Sequence, residues 1–129
     1  MNGRAPAGQF CWVDLAATDA TRALDFYTEL FGWGAVVQPA NGGTFVRFTN
    51  GERDVGSAYQ MRPSALQAGM SSHWTAYVRV DDAMAAAQRA RELGGSVAVE
   101  PFVVDGIARI ALLVDPVGAH LGVWEEIRA

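Results

Sequence analysis

Apolar residues recur along this chain with two different periods. From Asp19 to Phe31 they fall at Ala20, Ala23, Leu24, Tyr27, Leu30 and Phe31. That three- and four-residue spacing predicts a helix with one apolar stripe, with Asp25 and Glu29 off it. Thr18 or Asp19 can cap its start, and Gly32 can take the left-handed position past its end. A second helix is predicted from about Asp82 to Leu93, its stripe made by Ala83, Ala86, Ala87, Ala90 and Leu93, and it stops at Gly94-Gly95. Each helix follows a segment with period two, QFCWVDLA and then HWTAYVRV. Each precedes more strand-like runs: WGAVVQ, GTFVRFT and VGSAYQM after the first, SVAVEPFVV, ARIALLV and AHLGVWEEI after the second. NGG, NGE and DPVG mark turns between them. The order is strand-helix-strand-strand-strand, twice. Residues 62–72, RPSALQAGMSS, read as a linker between a module of about 9–61 and one of about 73–127. A repeat of this size needs its partner to bury both sheets, so 1–129 is expected to form one domain.

The offset between the halves sorts the side chains. A shift of 62 aligns Trp12 with Trp74. A shift of 63 aligns Asp19 with Asp82 and brings the helix stripes into phase, Ala20 on Ala83 and Leu30 on Leu93. A slip of one residue moves every strand side chain to the other face, so only one shift can hold, and the buried stripes favour 63. Val13, Leu15 and Ala17 then lie under the first helix, and Ala76, Val78 and Val80 under the second. The opposite face carries Phe10, Trp12, Asp14 and Ala16 in one half and His73, Thr75, Tyr77 and Arg79 in the other. The last strands add Ser57, Tyr59 and Met61, and His120, Gly122 and Trp124. A face with this many aromatic and polar groups suits a concave small-molecule site with a few polar anchors. By the same logic Tyr27, Leu30 and Phe31 are expected in the core.

The chain has 129 residues, half of them hydrophobic, and a net charge of −4. One domain's core is within reach of that length. No basic stripe is present, which argues against a nucleic-acid partner. MNGRAPAGQF has no signal-peptide run, and no segment approaches the ~20 apolar residues of a membrane span. Cys11 is the only cysteine, so no intrachain disulfide can form; a small buried hydrophobe in a reducing cytoplasm is the expectation.

FYTELFGW after an aspartate-capped helix start, with DPVGAHLGVWE near the end, resembles the vicinal oxygen chelate superfamily. Glyoxalase I, extradiol dioxygenases, fosfomycin-resistance enzymes and bleomycin-type drug-binding proteins belong to it. WVDL at 12–15 with LFGW at 30–33 looks most like its small actinobacterial glyoxalase-like branch. The resemblance covers about residues 9–127. It implies an α+β fold of two tandem βαβββ modules curled around a cleft, commonly completed in a homodimer. It also implies four metal-ligand positions, on the first and fourth strands of each module. Carried onto this sequence, those positions hold Trp12, Tyr59, Thr75 and Gly122. Indole and glycine offer no ligand, and threonine and neutral tyrosine are poor ones, so neither metal nor cofactor is expected. Drug-binding members of the family also lack that metal.

His73 and His120 each precede one of these positions by two residues. In the family's strand order they would face the cleft side by side, one strand step of ~6.6 Å from the metal position. Several readings stay open for them: polar anchors for a ligand, general acid–base groups with Asp14, a displaced metal site, or solvated histidines. Asp14 is either half of an ion pair with Arg47 or Arg79, a base, or a counter-charge for a cationic ligand. Trp12, Tyr59, Tyr77 and Trp124 either stack on a flat ligand or fill the cleft as core. Two functions follow, and a third reading is a degenerate family member whose filled cleft leaves it a protein contact. One is a metal-free protein that binds an aromatic small molecule through Trp12, Asp14, Tyr59, His73, Thr75, Tyr77, His120 and Trp124, serving antibiotic self-resistance or natural-product handling. The other is a metal-independent isomerase, cyclase or lyase working through His73, His120 and Asp14.

Overall fold

The computed structural model describes residues 5–40 and 43–127. Strand β1 spans Phe10–Ala17, helix α1 Ala20–Phe31, and strands β2, β3 and β4 Gly34–Ala40, Gly43–Asn50 and Arg53–Gln60. A short helix α2, Pro63–Gln67, follows. The second half repeats the order: β5 His73–Arg79, α3 Ala83–Glu92, β6 Ser96–Val104, β7 Ala108–Val114 and β8 His120–Glu126. Every expected strand and both long helices are present. The segment read as a linker holds α2, with Pro63 at its first position, where a missing N–H costs nothing. The NGG turn lies largely outside the described residues.

Contacts divide the chain into two compact units. The first comprises Val13–Trp74; the second takes in residues 5–12 and 75–127 among those described. Within the first unit the strand order is β2-β3-β4-β1. β1 runs parallel to β4, and the other neighbours are antiparallel. The second unit has β5-β8-β7-β6, with β5 parallel to β8.

Both helices start as their sequences require. The Asp19 carboxylate accepts from the Arg22 N–H at 3.1 Å, and Asp82 accepts from Ala85 at 3.0 Å. α1 ends at Gly32 with φ 71°, the left-handed residue expected there. A second pair of contacts ties each helix to its sheet. Gln60 Oε1 accepts the Ala20 N–H at 2.9 Å, and Glu125 Oε1 accepts the Ala83 N–H at 2.9 Å.

Those matched contacts expose a correction. Ala20 and Ala83 keep the offset of 63, but Gln60 and Glu125 are 65 apart. The registers agree: Asp14 sits opposite Ser57, while its counterpart Tyr77 sits opposite Gly122. Ser57 therefore corresponds to Gly122, and Tyr59 to Trp124. A slip of two leaves every side chain on its own face, so alternation in the sequence is blind to it.

Each unit packs its helix onto one sheet face. In the first, Leu15, Ala17, Val46, Phe48 and Ala58 are buried with Ala20, and Ala23, Leu24 and Tyr27 of α1 pack against them. In the second, Ala83, Ala111 and Val123 are buried, with Val80, Ala86 and Leu113 alongside. The α1 stripe is shorter than its sequence predicts. Leu30 is 57% exposed and Phe31 55% exposed, so neither is core. Phe31 instead lies against Trp33, ring centroids 4.8 Å apart and tilted by 35°.

Candidate functional site

The faces away from the helices carry the polar and aromatic groups, and the two units use them differently. In the first unit β1 sets Asp14 opposite Ser57 of β4, which lies opposite Arg47 of β3. Their neighbours Leu15, Ala58 and Val46 point the other way, into the core. Ser57 is fully buried and its hydroxyl donates to Asp14 Oδ1 at 2.7 Å. Burial pushes the Asp14 carboxyl up to about 6, against the opposing pull of the Ser57 hydrogen bond and the nearby His73. One strand step along β4, Tyr59 is 37% exposed. Burial raises its phenol above the ordinary value, and the Asp14 carboxylate raises it further. His73 stands exposed at the start of β5, its Nδ1 2.8 Å from the Ser71 carbonyl. The carboxyl, hydroxyl and phenol thus line up on one face, with a carboxyl that changes charge close to neutral pH.

Asp14 does not form the expected ion pair with Arg47 or Arg79. Arg47 turns to Asp54. Arg79 donates from Nη1 to the Ala5 carbonyl at 2.7 Å. Ser57 takes that place; its sequence position put it on this face without a role. Its signal was the parallel pairing of the first and fourth strands, which brings residue 57 beside residue 14.

In the second unit the corresponding face is filled by its own aromatic side chains. Trp12, Tyr77 and Trp124 are buried with Ala108 and Ile110. The Trp12 and Trp124 rings are 5.8 Å apart at 40°, and the Tyr77 and Trp124 rings 5.8 Å apart edge to face. The Tyr77 ring lies on Gly122, where an added Cβ would come within 2.9 Å of Cγ and closer still to Cδ2 and Cε2. Thr75 is half-buried on the same strand, and His120 is exposed at the start of β8. So three of the four aromatics nominated from sequence are packed on one another, and Tyr59 is the open one. Cys11 packs beside this cluster, and burial pushes its thiol up to about 11. A groove of about 330 Å³ lies elsewhere in the first unit, bordered by Thr18, Arg22, Phe26 and Ser72.

The donor set does not fit a divalent metal at the family's positions. Trp12, Tyr59, Thr75 and Gly122 supply no carboxylate, imidazole or thiolate, and the corrected register substitutes only Ser57 and Trp124. Among the described residues no three His, Cys, Asp or Glu side chains gather as a metal group.

Two βαβββ units with parallel first and fourth strands and polar groups on the helix-free face define a class of protein. The chain belongs to the Glyoxalase/Bleomycin resistance protein/Dioxygenase superfamily, whose profile matches residues 9–121. It is 35% identical to the anthracycline biosynthesis protein DnrV of Streptomyces peucetius, over 92% of this chain and 47% of that protein. It is 38% identical to CFP32 of Mycobacterium tuberculosis, provisionally designated a glyoxylase, over 91% of this chain and 45% of that one. The chain thus spans about half the length of these relatives. Its fold matches that of methylmalonyl-CoA epimerase from Mycobacterium tuberculosis with a TM-score of 0.66, at 17% identity, covering 98% of this chain and 93% of the other. No helix among the described residues is long and apolar enough to cross a membrane.

Proposed function

We propose that this chain is a small-molecule-binding member of the superfamily that handles an aromatic natural product without a metal at the usual position. It works as a single domain in the cytoplasm, as a homodimer, and contributes to antibiotic sequestration or to natural-product handling. The observation that carries this reading is the Asp14 carboxyl, half-buried, held by Ser57 and flanked by the open Tyr59 ring. A carboxyl kept under that desolvation cost does little for the fold, and it gives a flat ligand a polar anchor or counter-charge beside an aromatic surface. The similarity to DnrV supports natural-product handling. Titrating the tryptophan fluorescence with an anthracycline tests it. Micromolar quenching is expected, weakened about tenfold in Asp14→Asn through loss of one charge-assisted contact. No response to any aromatic natural product at micromolar concentration refutes it.

One observation favours a second reading. With its carboxyl titrating at about 6, Asp14 can both take and give a proton near neutral pH. Together with His73 and His120 it could serve a metal-independent isomerase, cyclase or lyase. That reading expects His120→Ala to abolish turnover in a folded protein; unchanged turnover removes the role.

A further inference from the structure

Among its described residues the second unit holds two buried N–H groups without an acceptor. Trp124 is only 7% exposed, and its indole Nε1 has no hydrogen-bond partner. Arg79 Nε is buried and unpartnered as well. These residues are opposite one another in register on the parallel β5 and β8, so both side chains leave the same sheet face. Both orphans therefore belong to side chains that leave one face of two paired strands. A buried donor left unsatisfied is costly and uncommon, and two on adjacent residues call for a common acceptor. The other described Arg79 contact joins Nη1 to the neutral Ala5 carbonyl. Among the described residues Arg79 makes no ion pair. Its charge is felt at Cys11, where it pulls the thiol downward against burial. The surroundings are the Trp12, Tyr77 and Trp124 rings.

We infer that Arg79 Nε and Trp124 Nε1 form a binding site for an anionic oxygen of an aromatic ligand, a carboxylate or an ionised phenol. The cation selects for negative charge, the indole N–H fixes the direction of a second hydrogen bond, and the rings accept the ligand's flat body. This site belongs to the second unit and does not depend on Asp14 in the first.

The test compares 2-naphthoate with its neutral methyl ester by tryptophan fluorescence, in the full chain and in Trp124→Phe and Arg79→Lys. Circular dichroism and urea melts accompany each variant. The expected result is naphthoate binding about tenfold tighter than the ester, with the preference reduced in both variants, because each removes one of the two fixed N–H donors. Trp124→Phe keeps the ring and Arg79→Lys keeps the charge, so a fold that survives in either suffices. Equal affinity for the two probes, or a preference that persists undiminished in a folded variant, overturns the inference. So does binding of neither probe, or a crystal structure grown with naphthoate that shows only a water between the two N–H groups. None of these outcomes touches the Asp14 reading, which stands or falls with Asp14→Asn.

Discussion

Replacing Asp14 by Asn should stabilise the fold, and only above a definite pH. The folded chain raises the carboxyl from 3.8 to about 6. A shift of about two units corresponds to about 3 kcal/mol between the protonation states. The sign follows from proton counting. Between pH 3.8 and about 6 the folded chain keeps a proton that the unfolded chain has released. Stability from this group is therefore greatest below that window, falls as pH rises through it, and stays low above it. Asn mimics the protonated acid and its Oδ1 still accepts from the Ser57 hydroxyl. Urea melts of both proteins at intervals from pH 4 to pH 8 give a difference curve in which all other titrating groups cancel. The curve should lie near zero at pH 4 and rise to about 3 kcal/mol in favour of the variant by pH 8. A difference that does not change with pH, or a variant less stable at pH 8, would refute the account of Asp14 as a carboxyl held against its solvation. Gained stability together with weakened anthracycline binding would mark a residue kept for its ligand.

Ser57→Ala removes the hydrogen bond that favours the carboxylate, so the Asp14 midpoint followed by carboxyl-carbon NMR should move above about 6. The same variant should lose about 1.5–3 kcal/mol at pH 8, the usual worth of a buried bond to a charge; an unmoved midpoint sinks that assignment. Gly122→Ala forces the Tyr77 ring off the β8 backbone, because the new methyl overlaps it. A loss of about 1–3 kcal/mol from overpacking and altered near-ultraviolet dichroism of the aromatic cluster are expected, whereas a fully stable variant with an unchanged spectrum would mean that Tyr77 is loosely held. Asp82→Ala removes the α3 cap and should cost about 1 kcal/mol, read from the urea midpoint; no change there would show that Glu125 alone holds the helix start.

The amino-acid sequence by itself determined the element order, the two aspartate-capped helices, the repeat and the family. Each of these rests on local chemistry or on periodicity. Asp19 and Asp82 cap whatever helix follows them, and alternation along β1 and β8 decides which residues share a face. Periodicity carries no more than that. A two-residue slip keeps every face intact, so only the folded pairing of Tyr77 with Gly122 set the offset of the last strand at 65. Helical spacing put Leu30 and Phe31 on the α1 stripe, but what covers a stripe is decided by tertiary packing, and both are exposed. The sequence nominated Asp14 and four aromatics together. Only the structure separated them, by letting Tyr77 settle on Gly122 and bury Trp12 and Trp124 while Tyr59 stayed open. It also gave Asp14 a buried serine rather than an arginine, because hydrogen-bond partners are chosen by register between strands and not by charge along the chain.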